Sequence, residues 1–281
     1  MRCVHKRDPR LLFLIPLLVI AGCAGAPREA AAPLRVMTYN IHAGKDAAQE
    51  HNLERVAQVI REAAADVVLL QEIDRGTERS GREDQIATLA RLTAMNGAFA
   101  KSLDYQGGEY GIAVLSRFPL DSIGVIHLEV QPPQERSGGA YEPRVGLHVS
   151  ARTPRGDVHI VNTHLDPAAQ PTYRHQEIIG LLAHIARTVP EQAALILGGD
   201  LNARPDTPEI AALTLAFTDA WTRCGTGGPG HSFPAHQPDR RIDYIFFRSS
   251  HCASARVIDV RASDHRPVIA SVSTGAVPGG R

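Results

Sequence analysis

The chain is 281 residues long and carries 30 lysines and arginines against 30 aspartates and glutamates, so its formal charge is zero. That balance excludes the broad basic surplus by which general nucleic-acid binders attract phosphate backbones, while leaving room for a local patch. Length and a hydrophobic content of 43% suit one large domain with a substantial core.

The first segment reads as targeting rather than fold. Arg2, Lys6, Arg7 and Arg10 precede an apolar run from Leu11 to Ile20, about ten residues against the roughly 20 that a membrane span needs. Ile20-Ala21-Gly22-Cys23 closes it and resembles a bacterial lipobox, so residues 1–23 are expected to be a lipoprotein signal with Cys23 as the lipidated residue. An ordinary cleaved secretory peptide is the alternative. Ala24 after the cysteine, rather than aspartate, resembles the pattern sorted to the outer membrane. The resulting expectation is a lipid-anchored protein of the bacterial cell envelope. Residues 24–33, rich in Ala and Pro, read as a tether, residues 34–275 as the domain and 276–281 as a tail. Cys224 and Cys252 are the cysteines left in the domain, and an oxidising compartment lets them pair.

From Leu34 the chain alternates strand and helix signals. Val36 to Ile41 has a period of two. Leu53, Val56, Ile60 and Ala63 recur at helical spacing, and Val67 to Leu70 is a continuous apolar run, as in a strand covered on both faces. A helix follows with Ile86, Leu89 and Ala90 inward, then a strand at Ile112 to Leu115 and another from Pro119 to about Val130. Gln131 to Gly139 is a Pro/Gly-rich loop. The second half repeats the rhythm. Strands at Val145 to Ala151 and Val158 to Thr163 flank a turn at Pro154-Arg155-Gly156. A helix carries Ile178, Leu182, Ile185 and Val189, a buried strand follows at Leu195 to Leu197, and a short helix spans Pro205 to Leu213. Strands at Ile242 to Phe247, Ala255 to Val260 and Pro267 to Val272 close the domain. Strand–helix–strand occurs once per half, which predicts an α/β fold of four layers: two packed mixed sheets with helices outside.

Polar residues gather where the buried strands end, the place where layered α/β folds collect ligands. Tyr39-Asn40-Ile41, Leu70-Gln71-Glu72-Ile73-Asp74, Asn162-Thr163-His164-Leu165-Asp166, Gly198-Gly199-Asp200-Leu201-Asn202-Ala203, Arg241-Ile242-Asp243-Tyr244 and Ser263-Asp264-His265-Arg266-Pro267 follow one another in this order. In that order they resemble the endonuclease/exonuclease/phosphatase family, the DNase I-like superfamily, over nearly the whole stretch from Leu34 to Val272. The resemblance implies phosphoester hydrolysis with Mg²⁺ or Mn²⁺, hard cations that prefer oxygen ligands. It implies Glu72 as the main metal ligand with Asn40 and Asp264 nearby, and Asp200 as the residue that orients or deprotonates water. Asn202 is expected on phosphate or metal, and His164 and His265 on the phosphate oxygens as charge develops. Asp243 is expected to hold His265.

Other residues carry weaker expectations. Arg144 is a candidate for substrate phosphate, and Glu109 for orienting His164. Asp74 and Asp166 suit a site role or a bridge to an arginine equally. Arg75, Arg79 and Arg82 read as a solvated basic stretch, and the loop of His231, Phe233 and His236 as the substrate mouth. His148, His159 and His184 show no ligand spacing and read as ordinary surface or strand histidines. The substrate is expected to be a small or lipid phosphoester, with nucleic acid as the alternative, and a non-catalytic binding lipoprotein as a third reading. The membrane would be met through Cys23.

Overall fold

The computed structural model describes residues 32–133 and 142–274. The expected signal segment with Cys23, the expected tether up to residue 31, loop residues 134–139 and the expected tail lie outside the described residues. Twelve strands and five α-helices are described. In the first half these are β1 (Leu34–Asn40), α1 (Leu53–Glu62), β2 (Val67–Arg75), α2 (Gln85–Thr93), β3 (Asn96–Tyr105), β4 (Gly108–Ser116) and β5 (Leu120–Leu128). The second half holds β6 (Arg144–Thr153), β7 (Gly156–His164), α3 (Thr172–Thr188), β8 (Leu195–Asp200), α4 (Pro208–Thr214), β9 (Thr218–Asp219), α5 (Ala220–Cys224), β10 (Asp243–Arg248), β11 (Ser250–Val257) and β12 (Val268–Thr274).

These strands form two six-stranded sheets, ordered β11-β12-β1-β2-β4-β3 and β5-β6-β7-β8-β10-β9. Each sheet is antiparallel except for one parallel pair, β1 with β2 and β7 with β8, the two pairs joined through α1 and α3. Val36, Leu69 and Val114 of one sheet pack with Leu147, Ile160 and Ile196 of the other in a shared core. Alternate residues face outward under helices: Met37, Val68 and Leu70 beneath Val56, Ile60 and Leu89, and Val161, Leu195 and Leu197 beneath Ile178, Leu181 and Ile185. Burial on both faces explains why β2 and β8 read as continuous apolar runs. The helices follow local rules. Leu53, Val56, Ala57 and Ile60 form one buried stripe on α1, and the Asp84 side chain caps α2 by accepting from Ala87 N at 3.0 Å.

Several details differ from expectation. β3 was not anticipated, because its face alternates irregularly between buried and exposed residues. The two-residue β9 and the single turn of α5 are too short to leave a periodic trace. β11 lies earlier than expected, ending at Val257. Cys224 and Cys252 are joined in a disulfide with Cα atoms 6.0 Å apart, inside the usual span for such a bridge.

One irregularity matters for the site. Leu70 pairs with Ala113 and Ile73 with Gly111, so Gln71 and Glu72 of β2 oppose a single residue of β4. This is a β-bulge, and it places Glu72 at φ 59°, a region costly for a residue with a Cβ. Asn162 of β7 crosses from the other sheet to hold it. Its Nδ2 donates to Leu70 O and Ala113 O, both at 2.8 Å. Its Oδ1 accepts from Gln71 Nε2 at 2.7 Å. Asn162→Leu removes the side-chain donor to two buried carbonyls and leaves the Gln71 amide only its longer 3.3 Å bond to Thr38 Oγ1. The expected loss is on the order of 3 kcal/mol in urea unfolding, together with a fall in turnover as Glu72 loses its fixed place.

A second polar feature lies on the outer face of the second sheet. His148 (β6), His159 (β7) and His184 (α3) form a chain, with His148 Nδ1 3.2 Å from His184 Nε2 and His148 Nε2 3.0 Å from His159 Nδ1. Burial lowers all three, and His148 falls from 6.5 to about 4, helped by its two neighbours. Arg187 beside His184 and Arg248 beside His159 act in the same direction, while Asp157 opposes it at His159. A histidine lowered in the folded state binds protons more readily when unfolded. Its contribution is therefore complete above pH 6.5 and lost as pH falls toward about 4. His148→Gln should flatten the acid limb of the stability–pH profile in that window, measured as the difference in urea midpoint from the parent protein.

Candidate active site

Strand register assembles the polar cluster. β7 against β8 sets His164 beside Asp200, β8 against β10 sets Asp200 beside Asp243, and β1 against β2 sets Asn40 beside Gln71. Gly199 makes the first pairing possible. It sits at φ +142°, and a Cβ there would lie 1.9 Å from Thr163 O, so no other residue lets β7 and β8 meet just before His164 and Asp200.

Asp200 is the centre. Its Oδ2 accepts from Asn40 Nδ2 at 3.1 Å and lies 3.6 Å from His164 Nε2 and 3.5 Å from His265 Nε2. Its Oδ1 accepts from Asn202 N at 3.0 Å. Asn202 Nδ2 donates to Leu165 O at 3.0 Å and lies 3.2 Å from His164 Nε2. His265 Nδ1 donates to Asp243 Oδ2 at 2.9 Å, and the same oxygen accepts from Ser232 Oγ at 2.5 Å. Ser263 Oγ donates to Asn40 O at 2.8 Å, fixing the Asp264-His265 turn onto the end of β1. Asn40, His164, Asp200, Asp243 and His265 are all buried.

The charges are interdependent. Burial alone would lower His265, but the carboxylates of Asp243 and Asp200 outweigh it and raise the imidazole well above its usual range. Burial raises Asp200, and the neighbouring His265 recovers only part of that cost. The proton therefore resides on His265, and Asp200 is a stronger base than a solvated carboxylate.

Two groups of residues invite comparison as a metal centre. Asp200, Asp243 and His265 offer atoms within 4.8 Å of one another. Yet His265 directs one nitrogen at each carboxylate, and a protonated imidazole has no lone pair to give, so this trio fits a proton relay. Glu72 and Asp264 fit a hard divalent cation better. Both line the same cavity as Asp200, and among the described residues Glu72 Oε2 and Asp264 Oδ2 accept no hydrogen bond. Asn40, expected beside them as a ligand, donates from Nδ2 to Glu72 Oε1 at 3.0 Å, while its Oδ1 accepts from His42 N at 3.0 Å. It links Glu72 to Asp200 as a donor.

The cavity above the cluster has a volume of about 610 Å³. Arg79, Tyr105 and Tyr110 form one wall, with the Arg79 guanidinium 4.7 Å and 5.4 Å from the two ring centroids. Phe233 also lines the cavity, packed on the His265 ring at 4.6 Å and covered by Arg240 at 4.5 Å. Arg144, buried, reaches the cavity and pairs with Glu142 at 2.8 Å. A cavity of similar size beside α1 and α2 holds His51, Arg55 and Arg91 but none of this cluster.

Some expectations need correction. Glu109 does not orient His164: it pairs with Arg75, whose Nε donates at 2.6 Å. Asp74 holds Arg79 through two bonds of 2.7 and 2.8 Å, which is the bridging alternative. Asp166 caps its own loop, accepting from Ala168 N at 2.8 Å. Arg79 is no solvated loop residue but part of the cavity wall, fixed from Asp74. Phe233 lines the mouth as expected, whereas His231 is turned to Pro238 O and His236 is exposed. Tyr105, Tyr110 and Arg240 were missed, since only the fold brings β3, β4 and the loop before β10 together.

The likeness to known proteins follows the same outline. Over 251 residues the chain is 24% identical to the uncharacterized protein YbhP of Escherichia coli, covering 85% of this chain and 95% of that one. It superposes on an endonuclease/exonuclease/phosphatase from Beutenbergia cavernae with a TM-score of 0.71 and 28% identity, covering 87% of this chain and 72% of the other. A Bacteroides thetaiotaomicron mannosyl-6-phosphatase shares the fold with a TM-score of 0.70 at 18% identity, over 85% and 99% of the two chains. The family model of the endonuclease/exonuclease/phosphatase family matches residues 37–265. The chain belongs to the endonuclease/exonuclease/phosphatase family and is a phosphoric ester hydrolase.

Proposed function

We propose that the protein hydrolyses a phosphoester of a small or lipid-borne substrate, using water activated at Asp200, from a lipid anchor at Cys23 in the cell envelope. One observation carries the reaction: the Asp200 carboxylate, made more basic by burial, meets His164, His265 and Asn202 at the floor of one cavity.

Asp200 takes the proton of the attacking water. The Nε2 atoms of His164 and His265 face the same point beside Asp200 and donate to the phosphoryl oxygens as charge accumulates there. Asp243 keeps the His265 imidazolium charged and in orientation through the 2.9 Å bond. Asn202 Nδ2 lies beside His164 and adds a donor to phosphate. Glu72 and Asp264 would hold a divalent cation such as Mg²⁺ or Mn²⁺, which would supply charge neutralisation at the phosphoryl group.

The choice of substrate rests on the shape and charge of the opening. An aromatic-walled cavity on a chain of zero net charge suits a compact phosphoester better than a long polyanion. The leader residues and Cys23 support placement in the envelope, and the Cys224–Cys252 bridge suits an oxidising compartment. Cys23→Ala should release the protein from the membrane fraction, and retention would remove the anchor.

Hydrolysis of bis-p-nitrophenyl phosphate, sugar phosphomonoesters, phospholipids and plasmid DNA by the full chain, with Mg²⁺, Mn²⁺ or EDTA, tests the reading. Activity should vanish with EDTA, and Asp200→Asn and Asp243→Asn should each lower kcat by about 10²–10⁴-fold while the circular dichroism spectrum is kept. An undiminished Asp200→Asn enzyme sinks the mechanism. Preference for DNA, with affinity falling steeply as salt rises, would replace the substrate assignment by a nuclease.

A further inference from the structure

We propose that His148 and His184 form a second metal site, for a borderline transition-metal ion of the Zn²⁺ or Cu²⁺ type, on the outer face of the second sheet, with His159 as its positioning residue.

The three imidazoles come from three elements, β6, β7 and α3, and all are half-buried. His148 Nδ1 and His184 Nε2 are 3.2 Å apart, with the rings nearly perpendicular at 89°. Zn–N bonds of about 2.0–2.1 Å set two ligand nitrogens in a tetrahedral shell roughly 3.3 Å apart, so this pair already has ligand spacing. His159 meets the opposite nitrogen of His148 at 3.0 Å. The three rings thus do not converge on one point: two present nitrogens to an ion, and the third receives the N–H of His148. A ligating histidine that donates its other N–H in this way has its tautomer and ring orientation fixed. Solvent completes the shell.

The electrostatics suit a neutral-imidazole site. Burial keeps His148 unprotonated at neutral pH, the form that coordinates. With the His148 Nε2–H donated to His159, the proton between His148 and His184 sits on His184 Nε2, and binding moves it to His184 Nδ1, so no net proton is released. Arg187 and Arg248 oppose a cation here and Asp157 favours it, which implies moderate affinity. The site is separate from the catalytic one, since His159 and His164 stand five positions apart on β7, about 16 Å along the strand. Ligand chemistry separates them too: imidazole favours Zn²⁺, Cu²⁺ or Ni²⁺, whereas the carboxylates of Glu72 and Asp264 favour harder ions.

The test is calorimetric titration of Zn²⁺ into the full chain with Mg²⁺ in excess, repeated on Glu72→Ala, on His184→Ala and on the His148→Ala/His184→Ala double variant. The proposal expects one saturable Zn²⁺ site kept in Glu72→Ala, weakened at least about tenfold in His184→Ala and lost in the double variant. His159→Phe should weaken it by about tenfold. Cu²⁺ paramagnetic resonance should show two equatorial nitrogens. Absence of saturable binding, binding retained in the double variant, or Zn²⁺ lost only with Glu72 would each overturn it. His184→Ala alters one half-buried helix side chain, so its unfolding midpoint without metal serves to separate lost binding from lost fold.

Discussion

Asn162 carries hydrogen bonds between the sheets through a stretch of apolar core. The shared core is built from Val, Leu, Ile and Ala, which pack without direction. Asn162 is fully buried and bonded to Leu70 O, Ala113 O and Gln71. It fixes where one sheet sits on the other along the strand axis, because a shift of one residue would break all three of these bonds. The bulge in β2 depends on this bond set, and the position of Glu72 depends on the bulge. A strained φ at Glu72 is thus maintained by a residue 90 positions away.

Around Asp200 the same economy appears in electrostatic form. One carboxylate is approached by donors from β1, β7 and the loop before β12, and a second carboxylate, Asp243, holds the charge on His265. Two buried acids flank one imidazolium, and on the cavity side they face walls that include Arg79 and Arg240. The arrangement holds its donors before any phosphate enters, so little reorganisation is needed as charge moves. Aromatic faces pinned beneath those arginines give the cavity stiff sides.

Much of this was legible in the sequence because site residues close apolar runs. Asn40, His164 and Asp200 each end a buried strand and Asp243 opens one, so motif order and strand register carry the same information. The four layers were legible because one strand–helix–strand unit stands in each half. What escaped was contact between elements without local pattern. Arg79 read as a loop cation because its partner Asp74 and its rings Tyr105 and Tyr110 come from three different segments. The histidine chain escaped for the same reason, with partners 11 and 36 positions apart. Glu109 was misassigned because nearness in sequence to the cavity strand says nothing of Arg75 across the ladder. Asn162 stood within a recognised motif, yet its task belongs to the facing sheet, which no single strand reveals.

The disulfide has a bearing on the cavity that lies in its topology. Cys224 ends α5 beside the edge of one sheet, and Cys252 lies in β11 at the edge of the other. The segment between them, which spans a separation of 28 positions, includes Phe233, Arg240 and Asp243, so one wall of the cavity and the partner of His265 ride on a covalently closed ring. Closing a ring of that size restrains the unfolded chain by about 3.5 kcal/mol. The knot is tied at the sheet edge, away from the chemistry, so the wall is tethered at its roots while its rim is free to vary. Substitutions that reshape the rim between Gly225 and Arg240 can alter which ester is admitted without untying the frame, and a family that shares one reaction can diversify there.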